Sequence, residues 1–249
     1  MSILRTEGIT KRFAEFTALN GISLEIEKGE IRSIIGPNGA GKTTFFNVVT
    51  GKLKPTDGAV YLDGKEITGK RPHEIAAYGI ARTFQIINIF PSLTVFENIA
   101  LPVLSKKKQN MALFTMPQFQ DHVKDKCRDV LSEIGLENEI DTIAGNLSHG
   151  DKKKLDIGIG LARNPAVLLL DEPAAGLNPQ ETQAITRLIK SVAERQNLTI
   201  VLIEHDMDAV FSISDNITVF QQGIVIAEGR PEDVRQNKLV IDAYLGEDF

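Results

Sequence analysis

Two groups of residues in this sequence have the types and spacing that phosphate chemistry requires. Residues 36–43 read GPNGAGKT, in which the glycines let successive backbone N–H groups turn inward around an anion. Gly36, Pro37, Asn38, Gly39, Ala40 and Gly41 would form the cradle, and Thr43 and Thr44 open a helix whose N-terminus adds its positive dipole end. Lys42 is placed to reach the β and γ phosphates of a nucleotide, and the Thr43 hydroxyl to occupy a coordination position on Mg²⁺. The second group, VLLLDE at residues 167–172, puts two acids at the end of an apolar run, where ligands bind in open α/β sheets. Asp171 is suited to hold Mg²⁺ through its water shell, and Glu172 to orient or deprotonate an attacking water. Two like charges this close repel each other, so the pair makes sense chiefly with a cation present. A third stretch, LSHGDKKKLDIG at residues 147–158, contains the capping pattern Ser148-x-x-Asp151 and reads as a helix start.

These residues need elements to hold them. Residues 31–35 form a short apolar strand ahead of the glycine loop, and the helical run TTFFNVVTG after it is stopped by Gly51 and Pro55. Residues 22–26 alternate, and Asp63-Gly64 within residues 59–67 favours a tight hairpin turn. From residue 88 strand signals fade and helical spacing appears at Val123, Val130, Leu131, Ile134 and Leu136. Residues 105–120, SKKKQNMALFTMPQFQ, are basic and then apolar, either a mobile excursion or a short surface helix. Residues 166–170 and 198–203 are near-continuous apolar strands of the kind buried on both faces of a parallel sheet. Between them Asn178-Pro179 starts a helix carrying Ile185, Leu188, Ile189 and Val192 on one face, and ITVFQQGIVIAEG reads as a hairpin. The alternation predicts βαβ units, with residues 1–87 and 160–249 in one α/β core and residues 88–159 inserted as a helical lobe.

Composition narrows the partners. The net charge of −5 argues against a phosphate-backbone partner such as nucleic acid, and the 6% aromatic content without Trp suits an α/β enzyme better than a carbohydrate reader. Cys127 is the single cysteine, so no internal disulfide forms and a reducing compartment is expected. No apolar stretch approaches the roughly 18 residues of a membrane span, and the N-terminus lacks the order of a secretory signal. The expected setting is the cytoplasm, with membrane work done by docking.

The order GPNGAGKT, ARTFQ, LSHGD, VLLLDEPAAGLNP and LIEHD resembles the nucleotide-binding subunits of ATP-binding cassette (ABC) transporters along essentially the whole chain. The resemblance implies a P-loop NTPase core of RecA-like type with a mostly parallel sheet, an N-terminal antiparallel β subdomain and an inserted helical subdomain. It also implies ATP and Mg²⁺ as ligands. Carried over by position, Phe13 falls where the family stacks an aromatic on adenine, and Gln85 where a loop glutamine approaches Mg²⁺ and the water. His205 falls where a histidine contacts the γ-phosphate. Asn178 replaces the usual aspartate of its loop and also reads as a helix N-cap. In the signature stretch Ser148 and Gly150 are kept while His149 and Asp151 depart. Our expectation is that Asp151 caps the helix and leaves phosphate contact to Ser148 and Gly150.

The family's site is completed by a second copy facing head to tail, so a second cassette subunit is implied, as a homodimer or as a heterodimer with a shorter paralogue. Two integral-membrane permease subunits are implied as well, with IINIFPSLTVFENI, directly after Gln85, as docking surface or inter-lobe core. The segments YGIARTFQIINIFPSLTVFENI, DEPAAGLNP, LIEHDMDAV and the tail VIDAYLGEDF resemble the ATPases of importers for branched-chain amino acids and related amides or urea. That branch implies a subunit peripheral on the cytoplasmic face of the inner membrane, served indirectly by an extracytoplasmic binding protein. The tail also resembles the ATPase of lipopolysaccharide extraction, but ARTFQ favours the importer. A soluble cassette ATPase of DNA repair or translation is disfavoured by the single cassette and the negative charge, and a non-hydrolysing regulator by the presence of Lys42, Glu172 and His205.

Overall fold

Ile31–Ile35 (β3) consists of five consecutive buried residues, the pattern of a strand covered on both faces. In the computed structural model, which describes residues 1–83, 88–105 and 117–245, this strand lies inside a six-stranded sheet. Its parallel neighbours are Thr199–Ile203 (β8) and Asn216–Gln221 (β9). Beyond β8 lie Val167–Asp171 (β7) and the edge strand Ile80–Arg82 (β6), both parallel. Beyond β9 the antiparallel Ile224–Gly229 (β10) closes the other edge as the expected hairpin. Alternation along β7 serves two cores: Leu168 and Leu170 join Ile200 and Leu202 on one face, while Val167 and Leu169 join Val201 and Ile203 on the other.

The second face supports the glycine loop. Ser2–Phe13 (β1), Phe16–Glu27 (β2), Asp57–Leu62 (β4) and Lys65–Glu66 (β5) form an antiparallel sheet in the order β2-β1-β4-β5. Asp63 and Gly64 both have positive φ in the β4–β5 turn, as a tight hairpin of matching twist requires. The buried side of this sheet shares a core with the parallel strands and with the helix Lys42–Val49 (α1), which contributes Phe45, Phe46, Val48 and Val49.

The first face carries the helices. Val95–Ser105 (α3), Pro117–Glu133 (α4) and His149–Ala162 (α5) pack with Pro179–Gln196 (α6) and the parallel strands into one apolar cluster. Val123, Val130, Leu131, Ile134 and Leu136 are all buried there, as their spacing predicted. Cys127 is buried among them, and burial pushes its thiol up to about 11, which makes it an unreactive apolar filler. Residues 106–116 of the basic-apolar excursion lie outside the described residues. Pro72–Tyr78 (α2) and β6 were not foreseen, because seven and three residues are too few for either periodicity to register. Met207–Ile213 (α7), Pro231–Gln236 (α8) and Lys238–Leu245 (α9) follow, and Val210, Val234 and Val240 cover β9.

Arg32 ties β3 to its neighbours from within. Its Nε donates to Glu30 Oε1 at 2.6 Å, Nη1 to Thr218 Oγ1 at 3.0 Å and also to Glu228, and Nη2 to the Glu25 carbonyl at 3.2 Å. Glu30 is buried too and accepts a further bond from Asn216 at 3.0 Å. Arg32→Met therefore strands a buried carboxylate and should cost about 3 to 5 kcal/mol, read as a lower urea midpoint at unchanged slope. Adding Glu30→Gln should recover most of the loss; a single-variant cost below about 1 kcal/mol, the value of an exposed pair, would contradict the assignment.

Candidate functional site

The loop between β3 and α1 is shaped by close backbone approach. Gly36 has φ 146°, and a Cβ there would lie 2.1 Å from the Phe220 carbonyl oxygen; at Gly41, φ 104°, it would lie 2.7 Å from the Ala18 carbonyl oxygen. Only glycine fits either position. The loop is buttressed from the β9–β10 turn, where the Gly223 N–H donates to the Ala40 carbonyl at 3.0 Å, and Asn20 N–H donates to the Gly223 carbonyl at 2.8 Å. Helix α1 has neither an acidic residue in its first turn nor a side-chain cap, so its leading N–H groups and dipole remain for an anion. Lys42 is buried and its Nζ donates to the Gly36 carbonyl and, at 3.0 Å, to the Pro37 carbonyl.

Over this loop opens a cleft of about 240 Å³ lined by residues 38–44 together with Phe16, Ala18, Glu172 and His205. The fold thus brings Glu172 and His205, which follow different strands, to the loop. Glu172 sits just past β7 with φ 51°, a left-handed conformation rare for a glutamate and held by its N–H donating to the Ile203 carbonyl at 2.9 Å. Its Oε1 lies 3.0 Å from His205 Nε2. Asp171, at the last position of β7, is buried, and its Oδ2 accepts from Arg82 Nη2 at 2.6 Å. Thr43, exposed in the first turn of α1, and Asp171 offer a hydroxyl and a carboxylate. Among the described residues no group of three or more His, Cys, Asp or Glu could hold a metal. The pair instead fits Mg²⁺, which takes one or two protein oxygens and fills its shell with phosphate oxygens and water.

Several site residues escaped sequence reasoning. Lys153 is buried and donates from Nζ to the Glu172 carbonyl at 3.2 Å; burial holds its ammonium below the usual lysine range. Glu204, next to His205, is buried at the end of β8 and accepts the N–H groups of Ala174 at 2.8 Å and His205 at 3.0 Å. Burial raises its carboxyl despite those bonds. Its position one residue before His205 was the available signal. Arg82 stood in ARTFQ without a role.

Other expectations are sorted by the geometry. Phe13 is 44% exposed with the Lys11 ammonium 5.1 Å from its ring centroid, while Phe16, 63% exposed, is the aromatic lining the cleft. The two are paired across the β1–β2 turn, and the turn aims Phe16 rather than Phe13 at the cleft. Gln85 lies outside the described residues. Asn178 is the N-cap of α6, its side chain accepting from the Glu181 N–H at 3.0 Å in a full capping box. At α5 the cap is Ser148, not Asp151: Ser148 Oγ accepts from the Asp151 N–H at 3.1 Å and donates to Asp151 Oδ2 at 2.7 Å. Against the opposing effect of burial, the hydrogen bonds from Lys154 and Ser148 hold the Asp151 carboxyl below its usual range. Ser148 and Gly150 are not among the described residues lining the cleft. A Cβ on Gly150 would lie 3.2 Å from Glu181 Oε1, and one on Gly176 would lie 3.4 Å from His149 Nε2, so this stretch packs on the loop following Glu172.

A second cleft, of about 430 Å³, opens between α2, β6 and α5 and is lined by Ile75, Arg82, Asn88, Pro102, Asp156 and Arg163 among others. Burial pushes Asp156 up to about 6, partly offset by the Asn88 N–H at 3.4 Å and by Lys153. In the neighbouring stretch Val95 and Ile99 belong to the core while Phe90 and Leu101 are exposed; Ile86 and Ile87 lie outside the described residues.

Comparison with known proteins identifies the family. The family model for "ABC transporter" matches residues 19–175, and that for "Branched-chain amino acid ATP-binding cassette transporter" matches residues 225–249. The high-affinity branched-chain amino acid transport ATP-binding protein BraF of Pseudomonas aeruginosa is 43% identical over 250 residues, 98% of each chain. The ADP conformation of MJ1267, an ATP-binding cassette of an ABC transporter, is similar with a TM-score of 0.87 and 37% identity, over 99% of this chain and 100% of that one. A dimeric post-hydrolysis state of the cassette MJ0796 bound to ADP and Pi is similar with a TM-score of 0.77 and 28% identity, over 92% and 98%. With the family model spanning more than half of the sequence and the glycine loop, Glu172 and His205 gathered around one cleft, the chain belongs to the ABC transporter family as one of its ATP-binding cassettes.

Proposed function

We propose that this chain is the ATP-binding and ATP-hydrolysing subunit of an importer for branched-chain or related amino acids, driving uptake through separate permease subunits. The observation that carries hydrolysis is the 3.0 Å contact of Glu172 with His205 beside the phosphate loop. The match of residues 225–249 and the kinship with BraF support the substrate class.

In this reading the loop N–H groups and the α1 dipole bind the triphosphate, and Lys42 turns from its own loop carbonyls to the β and γ phosphates. Phe16, with Phe13 behind it on the hairpin, offers an aromatic face to the adenine. Thr43 and Asp171 would hold Mg²⁺, which would supply positive charge to offset the negative charge developing on the phosphates. Glu172 orients the water and takes its proton as the water oxygen bonds to the γ phosphorus and the bond to the bridging oxygen breaks, releasing ADP and phosphate. His205 steadies Glu172 and faces the γ-phosphate, and Gln85 has the role the family gives its loop glutamine, toward Mg²⁺ and the water.

Ser148 and Gly150, which do not line the chain's own cleft, serve the site of a second cassette subunit, either an identical copy or a shorter paralogue. Residues 1–87 and 160–249 act as the catalytic core and residues 88–159 as the helical subdomain that carries this signature loop. Among the described residues no helix is long and apolar enough to cross a membrane. In this reading the subunit works on the cytoplasmic face of the inner membrane by docking two permease subunits, with an extracytoplasmic binding protein acting indirectly. The 430 Å³ cleft, lined by Ile75 and Ile80 together with Arg82, Asp156 and Arg163, is the docking groove. The net charge of −5 speaks against a nucleic-acid partner.

Co-expression with the genes beside this one tests the reading: two hydrophobic permeases and a binding protein should copurify or be encoded together, and ATPase stimulation by nucleic acid alone would sink it. Glu172→Gln should lower turnover by about 10² to 10⁴-fold with ATP affinity nearly unchanged, and should trap an ATP-bound dimer on gel filtration. Lys42→Ala should weaken ATP binding in calorimetry by about tenfold or more, the worth of a charge-assisted hydrogen bond; unchanged affinity would count against the loop. Asp151→Ala should lower stability by about 1 kcal/mol through the weakened cap and retain hydrolysis, so that loss of turnover in a well-folded variant would give Asp151 a role in the chemistry.

A further inference from the structure

Arg82 bridges two parts of the site that are far apart in the chain. It lies on the edge strand β6 opposite Leu169 of β7. Its Nη2 donates to Asp171 Oδ2 at 2.6 Å, and its Nη1 donates to Asn47 Oδ1 on α1 at 2.7 Å. The guanidinium carbon stands 5.4 Å from the centroid of the Phe46 ring, which backs the fork. The Arg82 and Asp171 side chains are only 7% and 5% exposed, so water does not screen the pair. Asn47 sits four residues after Thr43, one turn along the same helix.

The two protein oxygens suited to Mg²⁺ thus stand on separate elements, Thr43 on α1 and Asp171 at the end of β7, and one rigid fork holds both elements. A guanidinium presents its N–H donors in a fixed plane, which an ammonium cannot imitate. Loss of a group that orients a metal ligand typically costs about 10- to 100-fold in metal affinity. We propose that Arg82 is a positioning residue for the metal: by joining Asp171 to Asn47 it sets the Asp171 carboxylate relative to the Thr43 hydroxyl. The inference rests on the ATP and Mg²⁺ reading above and adds to it a residue that touches neither ligand.

The test uses Mn²⁺ in place of Mg²⁺, with its binding to the full chain and a non-hydrolysable ATP analogue followed by electron paramagnetic resonance. Nucleotide affinity is measured separately in EDTA. Arg82→Lys, which keeps the charge and loses the fork, should weaken Mn²⁺ binding by about 10- to 100-fold while metal-free nucleotide affinity holds. Asn47→Ala should shift Mn²⁺ binding in the same direction, and it carries the test if Arg82→Lys does not fold. Wild-type Mn²⁺ affinity in Arg82→Lys would overturn the proposal, because charge alone would then suffice. A parallel fall in metal-free nucleotide affinity would also overturn it, by showing damage to the phosphate loop. Absence of any metal–nucleotide binding by the wild-type chain would instead overturn the ATP reading beneath it.

Discussion

A carboxylate buried at the end of a strand must be compensated, because an isolated charge in a low-dielectric interior costs several kcal/mol. That constraint organises the catalytic end of the sheet. Asp171 closes β7 and is met by Arg82; Glu204 follows β8 and is met by backbone N–H groups of the two loops that carry Ala174 and His205. Lys153 reaches across from α5 to the Glu172 carbonyl. Each compensation joins elements remote in the chain, so solving the electrostatic problem also fixes the geometry. β6 is joined to α1 and β7, β8 to the loop after β7, and α5 to the residue suited to activate water.

The same region stores conformational strain. Glu172 is held left-handed by a hydrogen bond from its N–H to the neighbouring strand, and its side chain is thereby directed to His205 over the glycine loop. The loop in turn leaves no room for side chains at Gly36 and Gly41, where the β9–β10 hairpin and β2 press on it. Preorganised donors of this kind act without rearrangement at the moment of reaction, and electrostatic catalysis depends on that. The two cores on either face of the sheet give these loops a stiff support.

Helix α5 connects the inside of the molecule with its outside. Its first turn is a self-contained cap in which Ser148 and Asp151 satisfy each other and Lys154 balances the acid. Two residues further on, Lys153 touches the main chain at Glu172, and one turn later Asp156 lines the cleft beside α2. Helix α5 therefore runs from the Ser148–Asp151 cap past the main chain at Glu172 to the cleft beside α2.

Local signals settled much of this protein in advance. Glycine spacing, continuous apolar runs and helical periodicity are properties of short windows, and they located the phosphate loop, β3, β7, β8, the final hairpin, α6 and the acids Asp171 and Glu172. The order of motifs added the family. Tertiary structure decided which side chains those windows bring face to face. Phe16 rather than Phe13 lines the cleft, and Ser148 rather than Asp151 caps α5. Lys153, Glu204 and the side chain of Arg82 are buried where the sequence showed only ordinary charged residues. The reason is physical: a local pattern reports how a segment meets solvent, whereas the partner of a buried charge is chosen by packing among segments far apart in the chain, 89 residues in the pair Arg82 and Asp171 and 196 in the pair Arg32 and Glu228.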